Sequence, residues 1–130
     1  MKLEPGNELP PLDHRVDALH VIMYAGASGD FNPLHWDPNF AVQSSPTGGV
    51  IAHGMYAMGL ASRMLTSWAG SPDRVLEIQV RFTNPWPVGM AATFGGRVAE
   101  IEHGVATVEL WGRRDDGGRI LRGSARVRAG

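Results

Sequence analysis

Residues 54–70 read GMYAMGLASRMLTSWAG and form the least polar part of the chain. The only charged residue among them is Arg63, and the others are apolar or small on nearly every side of a helix drawn through them. A helix that is apolar all round belongs in a protein core. We therefore expect a central helix here that the rest of the chain covers.

The segments after this run change from a helical period to the two-residue period of a strand. In RVLEIQVRF, residues 74–82, polar residues alternate with an apolar set predicted to share one buried face, namely Leu76, Ile78, Val80 and Phe82. Three strand-like segments follow, ATFGGRVAEI (92–101), VATVELWGRR (105–114) and RILRGSARVR (119–128), with EHG and DDGG as hairpin turns. In the last segment, arginines 122, 126 and 128 are predicted to lie opposite Leu121, Ala125 and Val127. Consecutive strands favour an antiparallel sheet, so the expected fold is α+β, a curved sheet wrapped around the helix.

The first half of the chain is expected to contain a second, shorter helix. Asp17 is a favourable N-cap, apolar residues follow at helical spacing, and Gly26 and Gly29 could end the helix. The later run QSSPTGG, residues 43–49, has no periodicity and is predicted to be a loop.

Length and composition limit the possible functions. A chain of 130 residues with 43% apolar residues predicts one packed domain over residues 1–130. Its 12 Lys+Arg against 13 Asp+Glu form no charge block, which argues against nucleic-acid or membrane partners. The absence of cysteine excludes disulfides and thiolate sites. The polar, Pro-broken start and the lack of a long apolar run predict a cytoplasmic protein.

Chemistry is concentrated in SGDFNPLHWD, residues 28–37. Asp30 and His35 lie close together in a segment that Gly29 and Pro33 make irregular, and a fixed irregular loop can aim both side chains at one point. The alternative is a turn-capping carboxylate and a solvated histidine. On these residues alone, both interpretations stay open.

A metal site is a further possibility. His35, Asp37 and His53 could supply two nitrogen ligands and one oxygen ligand to zinc or iron. Against it, the chain has no HExxH helix, and Asp37 precedes Pro38 as a common turn former does. We therefore expect no metal and no cofactor.

Two blocks of sequence resemble a known family. YAGASGDFNPLHWDPNFA (24–41) and GVIAHGMYAMGLASR (49–63) resemble the MaoC-like hydratases and dehydratases, which are (R)-specific for enoyl thioesters. TSWAG and VRFTNPWPVG extend the resemblance, so that it covers most of residues 17–90. The resemblance implies a hot-dog fold, with residues 54–70 as its central helix.

The resemblance also implies roles for individual residues. It makes Asp30 and His35 a catalytic pair that holds one water molecule, with no metal. It makes the backbone N–H of Gly54 an oxyanion-hole donor, which suits the positive start of a helix; the alternative is a glycine chosen for close packing. Ser62 is implied to support the pair. His53 is expected to be a hydrogen-bonded structural residue near the site rather than a proton carrier.

Other residues are expected to shape the site. Asn32 is expected to fix the loop through Asx-type hydrogen bonds. The residues that could line an acyl tunnel, with core packing as their alternative, are Tyr24, Met55, Met58, Leu65 and Trp68.

The function expected from the resemblance is hydration of trans-2-enoyl thioesters and the reverse dehydration of (3R)-hydroxyacyl thioesters. The thioester carrier would be coenzyme A or acyl carrier protein, and the chain would pair with a second copy or with another hot-dog chain. The alternatives are a hot-dog thioesterase, which would share the fold, and a non-catalytic or partner-dependent subunit.

Overall fold

A computed structural model describes residues 3–129 of the chain. The elements in chain order are β1 (Leu12–Arg15), α1 (Ala18–Ser28), α2 (Pro38–Ser44), α3 (Gly54–Ala69), β2 (Val75–Phe82), β3 (Ala91–Glu102), β4 (Val105–Arg114) and β5 (Arg119–Arg128). Short 3-10 turns span Pro33–His35 and Pro72–Arg74. The five strands form one antiparallel sheet in the order β1-β3-β4-β5-β2. Four strands were predicted and are present.

Helix α3 is the central helix expected from residues 54–70. It ends at Gly70, whose φ of 87° is the left-handed conformation that glycine adopts most easily. Its buried residues face the sheet and are Ala57, Leu60, Ala61, Met64, Leu65 and Ala69. The sheet with this helix against it is the predicted α+β, hot-dog arrangement. Within residues 3–129, none of the helices is long and apolar enough to cross a membrane.

Strand β2 is an edge strand and departs from the predicted alternation. A register shift between Val75 and Glu77 makes Leu76 the extra residue of a bulge. Leu76 is 42% exposed and Phe82 is 47% exposed, so the predicted burial of these two residues is wrong. Ile78 and Val80 do pack against the core. The alternation could not reveal the bulge, because the bulge depends on pairing with β5.

Strand β5 carries a second irregularity. Arg113 pairs with Arg119 while Gly112 pairs with Leu121, so Ile120 is an extra residue opposite β4. Both Ile120 and Leu121 are buried as a result. Farther along β5, the predicted division holds, with Ala125 and Val127 buried and the arginines at 122, 126 and 128 exposed.

Two elements were not predicted. Strand β1 pairs with β3, with Leu12 opposite Phe94, although prolines precede it in sequence. Helix α2 begins after Asp37, whose side chain accepts hydrogen bonds from the amides of Asn39 and Phe40, and includes Gln43 and Ser44. The predicted loop at residues 43–49 therefore begins at Ser45.

Candidate active site

The segment between α1 and α2 is held by short-range hydrogen bonds. Helix α1 begins after Asp17, as expected, and ends at Gly29, which has a φ of 77°. The amide of Asp30 donates to Ser28 Oγ, and the amide of Asn32 donates to Asp30 Oδ1. Asn32 Oδ1 in turn accepts from the amide of Leu34 at 3.0 Å, which is the Asx-type bond anticipated for it. These bonds restrict the backbone that carries Asp30.

His35 is oriented by a backbone carbonyl. Its Nδ1 lies 2.7 Å from the carbonyl oxygen of Ile51, and because a carbonyl only accepts, Nδ1 carries the hydrogen. In the neutral ring, Nε2 then has a free lone pair. This atom lies 3.8 Å from Asp30 Oδ2, which is too far for a direct hydrogen bond. Two acceptors at this distance suit a donor that both can share, such as water.

His53 supports both members of this pair. Its Nε2–H donates to the carbonyl oxygen of Asp30 at 3.1 Å, and its ring stacks on His35 with centroids 3.8 Å apart. The rings of Tyr24 and His53 pack in a T-shaped arrangement, with their centroids 4.8 Å apart. Burial, with only 3% of the residue exposed, lowers the pKa of His53, while the bond to Asp30 raises it by less. Burial therefore favours the neutral form of His53, whose Nδ1 is buried and unpaired among the described residues.

Gly54 begins α3 and lines a cavity next to the two histidines. The first amides of a helix have no acceptor within the helix, so they can bind a ligand oxygen. A Cβ atom on Gly54 would lie 3.2 Å from the ring of Phe82, so the glycine also permits close packing. The cavity has a volume of about 320 Å³. Besides His35, His53 and Gly54, its lining residues are Ile51, Ala52, Ala57, Phe82, Thr83, Asn84, Pro85, Trp86 and Ile120.

None of the five acyl-tunnel candidates lines this cavity. Tyr24 packs on His53, Leu65 is fully buried in the core, and Trp68 lines a separate depression beside Pro10 and Pro11. Met55 is largely exposed and Met58 is half-buried. The positions of Met55 and Met58 on α3 place their side chains away from this cavity. The cavity is instead built by strand ends and the segment from 82 to 86, which the TNPWP part of the resemblance could have indicated.

Ser62 is not brought to the pair. It lies eight residues after Gly54, which is about 12 Å along a helix. Within residues 3–129 its hydroxyl makes no side-chain hydrogen bond with Asp30 or His35, and it does not line the cavity. The structure therefore gives no contact through which Ser62 could support them.

The three residues considered as possible metal ligands, His35, Asp37 and His53, are only partly together. Asp37 caps α2, so its carboxylate serves the helix start. The carboxylate that lies near the two histidines is that of Asp30 instead, since one ligand atom each of Asp30, His35 and His53 lies within 4.8 Å of the others. These three residues are the ones that could hold a divalent cation. Each histidine already uses one ring nitrogen on a backbone carbonyl.

The fold and the site define a hot-dog domain with an acid–histidine pair at the start of its central helix. Residues 4–110 match the family described as "MaoC like domain". The chain therefore belongs to the MaoC-like dehydratase family.

Several relatives of the chain are named hydratases or dehydratases, which are hydro-lyases. The chain is 30% identical over 115 residues to the 3-oxo-4,17-pregnadiene-20-carboxyl-CoA hydratase beta subunit of Mycobacterium tuberculosis, covering 88% of each protein. It is 33% identical over 91 residues to the 3-hydroxybutyryl-CoA dehydratase of Methylorubrum extorquens, covering 69% of this chain and 57% of that protein.

Solved structures agree with the fold. The (R)-hydratase from A. caviae involved in PHA biosynthesis superposes with a TM-score of 0.89 at 30% identity, covering 98% of both chains. The ChsH1-ChsH2 complex from Mycobacterium tuberculosis gives a TM-score of 0.87 at 26% identity, again covering 98% of both chains. The predicted hot-dog fold is confirmed.

Proposed function

We propose that this protein hydrates trans-2-enoyl thioesters with (R) stereochemistry and catalyses the reverse dehydration of (3R)-hydroxyacyl thioesters. The observation that carries the proposal is the 3.8 Å separation between Asp30 Oδ2 and His35 Nε2. Because both atoms are acceptors, one water molecule can donate a hydrogen to each of them. This holds the water oxygen with a lone pair free to attack.

The chemistry is acid-base catalysis without a metal. The water oxygen bonds to C3 of the enoyl group, one water proton passes to the pair, and a proton is delivered to C2. Dehydration runs the same steps in reverse, so the direction is set by mass action. Asp30 and His35 share the two proton-transfer roles, and either can be the base.

Gly54 is the proposed oxyanion donor. As water adds to C3, negative charge moves to the thioester oxygen, which then needs a hydrogen-bond donor. Gly54 N–H is the first amide of α3, where the helix dipole is positive, and the residue lines the same cavity as His35. The cavity of about 320 Å³ would receive the acyl chain beside C3.

The carrier is coenzyme A or acyl carrier protein. The two relatives described above carry CoA in their names, which favours CoA. The likeness of this sequence to the catalytic subunit of the mycobacterial type II (3R)-hydroxyacyl-carrier-protein dehydratase favours a carrier protein instead. Hydration rates measured with a short and a long enoyl chain, each on both carriers, would distinguish these two possibilities.

A second candidate is a subunit that is active only with a partner hot-dog chain. One relative is named a beta subunit, and one similar structure is a complex of two named proteins. The segment around the pair also exposes large apolar side chains that a partner would cover, among them Phe31, Trp36 and Phe40.

The test measures loss of enoyl absorbance when short and long trans-2-enoyl thioesters are incubated with the purified chain. We expect hydration to a product that chiral chromatography identifies as the (3R)-hydroxyacyl thioester. Release of free thiol without hydration would favour a thioesterase. Inactivity on every substrate, reversed by adding a partner hot-dog chain, would favour the second candidate.

A further inference from the structure

The outer face of the sheet, opposite α3, carries a depression of about 680 Å³ over β2, β4 and β5. Four arginines line it, namely Arg81, Arg113, Arg119 and Arg122, and each is exposed. Among residues 3–129, none of the four lies within 4.0 Å of a carboxylate. Glu109, which also lines the depression, is paired with Arg97 at 2.9 Å. We call this feature the arginine depression.

The strand register places these arginines directly opposite one another. Arg81 pairs with Arg122 across β2 and β5, and Arg113 pairs with Arg119 across β4 and β5. Like charges in directly opposite positions destabilise a sheet. The bulge at Ile120 produces the second pair, because the extra residue turns Arg119 to the same face as Arg122. The resulting concentration of unpaired positive charge is complementary to a compact anion.

Trp111 adds an aromatic surface to the depression. It pairs with Arg122 on β5 and with Gly95 on β3. A Cβ atom on Gly95 would meet three indole atoms at 2.6, 2.8 and 2.9 Å, so the ring packs directly over that glycine. Trp111 is half-buried, so part of its ring stays accessible to a planar group that could stack on it.

The arginine depression and the proposed catalytic cavity lie on opposite faces of the sheet at the same two strand ends. Arg81 lines the depression, and the next residue, Phe82, lines the cavity. Likewise, Arg119 lines the depression and Ile120 lines the cavity. The side chains of Thr83 and Asn84, which also line the cavity, donate to the carbonyl oxygen of Arg119 at 2.6 and 2.8 Å. A ligand long enough to pass around these strand ends could therefore occupy the cavity with one end and the depression with the other.

We propose that the arginine depression binds the phosphorylated adenosine end of coenzyme A. This inference rests on the proposed thioester function and names CoA as the carrier. Arginine forks form charge-assisted, bidentate hydrogen bonds with phosphate, and adenine would stack on the accessible part of the Trp111 ring. The concave shape and the aromatic ring favour a nucleotide over the acidic surface of a carrier protein.

Binding is tested first, with adenosine 3′,5′-bisphosphate as the titrant in calorimetry. We expect binding that weakens as salt is raised and that falls roughly tenfold or more in Arg81→Gln/Arg122→Gln and in Trp111→Leu. Arg126→Gln is the matched control, since Arg126 is on the same face of β5 but lies beside Glu77. Circular dichroism checks that each variant folds. Absence of binding, or equal loss in the control, would overturn the proposal.

Kinetics separates this proposal from the proposed function. Arg81→Gln/Arg122→Gln should raise KM for an enoyl-CoA roughly tenfold or more and leave kcat/KM for the matching enoyl-pantetheine, which lacks the nucleotide, unchanged. An equal loss on both substrates contradicts a nucleotide site. A lower KM for an enoyl group on acyl carrier protein than for the enoyl-CoA, lost in the same variant, would assign the arginines to that partner instead. Bisphosphate binding without hydration of any thioester would refute the function and leave the site standing.

Discussion

The imidazole rings of His35 and His53 stack with centroids 3.8 Å apart and planes tilted by 24°. Each ring donates one N–H to a backbone carbonyl, His35 to Ile51 and His53 to Asp30. His53 therefore holds the backbone of Asp30 and one face of His35 at the same time. We therefore expect the separation between the proposed acid and base to depend on this buried ring.

Replacing either member of the pair should nearly abolish activity. Asp30→Asn and His35→Ala should each lower the hydration rate by roughly 10²–10⁴-fold, the usual contribution of a positioned acid or base. His103→Asn is the control, since His103 sits in an exposed turn with a φ of 52° that asparagine tolerates. Steady-state rates, with circular dichroism to verify folding, provide the measurement. Near-parent activity in either site variant would refute the assignment.

His53→Phe tests the positioning role of the stacked ring. Phenylalanine keeps a ring against His35 but loses the hydrogen bond to the Asp30 carbonyl, a loss of about 0.5–1.5 kcal/mol. We expect kcat to fall with little change in KM, because the water is misplaced while the cavity is kept. Tyr24→Phe, which preserves the ring packed on His53, should behave like the parent. Equal activity in His53→Phe and the parent would show that the bond is dispensable.

Stability should fall on mild acidification. Burial is the main cause that lowers the pKa of both His14 and His53 below the ordinary histidine value of 6.5. Just below pH 6.5 the unfolded chain therefore binds more protons than the folded chain. The free energy of unfolding should decrease as the pH is lowered through this range, and it should have its full value above this range. Thermal melting between about pH 7.5 and 5.5 measures this dependence. His14→Gln and His53→Gln should each flatten it, and a Tm that rises on acidification would contradict the assignment.

Gly54→Ala separates close packing from substrate access. The new Cβ would lie 3.2 Å from the ring of Phe82, which is 47% exposed and must shift slightly to make room, so we expect a small fall in the Tm. Adding Phe82→Leu should restore the Tm, while turnover should stay below that of Phe82→Leu alone because the Cβ still projects toward the thioester. Full recovery of turnover would place the thioester oxygen elsewhere. Ser62→Ala, which loses no observed hydrogen bond, should change stability by less than about 0.5 kcal/mol.

Assembly should give a particle of about 28 kDa, twice the 14.0 kDa of the chain, or a multiple of such pairs. Strand β2 is a free edge with Leu76 and Phe82 exposed, and an uncovered edge of this kind favours pairing with another chain. Light scattering at micromolar concentration measures the mass. A stable monomer that enlarges only when a second hot-dog chain is added would point to a heterodimer.

Much of the architecture follows from local pattern. The all-apolar run at 54–70 and the alternation after it were sufficient to predict α3, the four strands after it and their hairpins, because burial imposes these periods on the sequence itself. Asp17 and Gly29 likewise mark the ends of α1. The family resemblance then pointed to Asp30 and His35, which the structure brings to 3.8 Å.

Tertiary structure alone decided which side chains form the cavity and the outer face. The bulges at Leu76 and Ile120 arise from the pairing of β5 with its two neighbours, and a bulge reverses the face that later residues occupy. For that reason alternation misplaced Leu76 and could not show that Arg119 joins Arg122. The acyl-tunnel candidates do not line the cavity for a related reason, since helical spacing predicts which residues share a face but not what that face contacts. Contacts between residues distant in sequence, such as Gly54 with Phe82 and His53 with Asp30, exist only once the sheet has closed around α3.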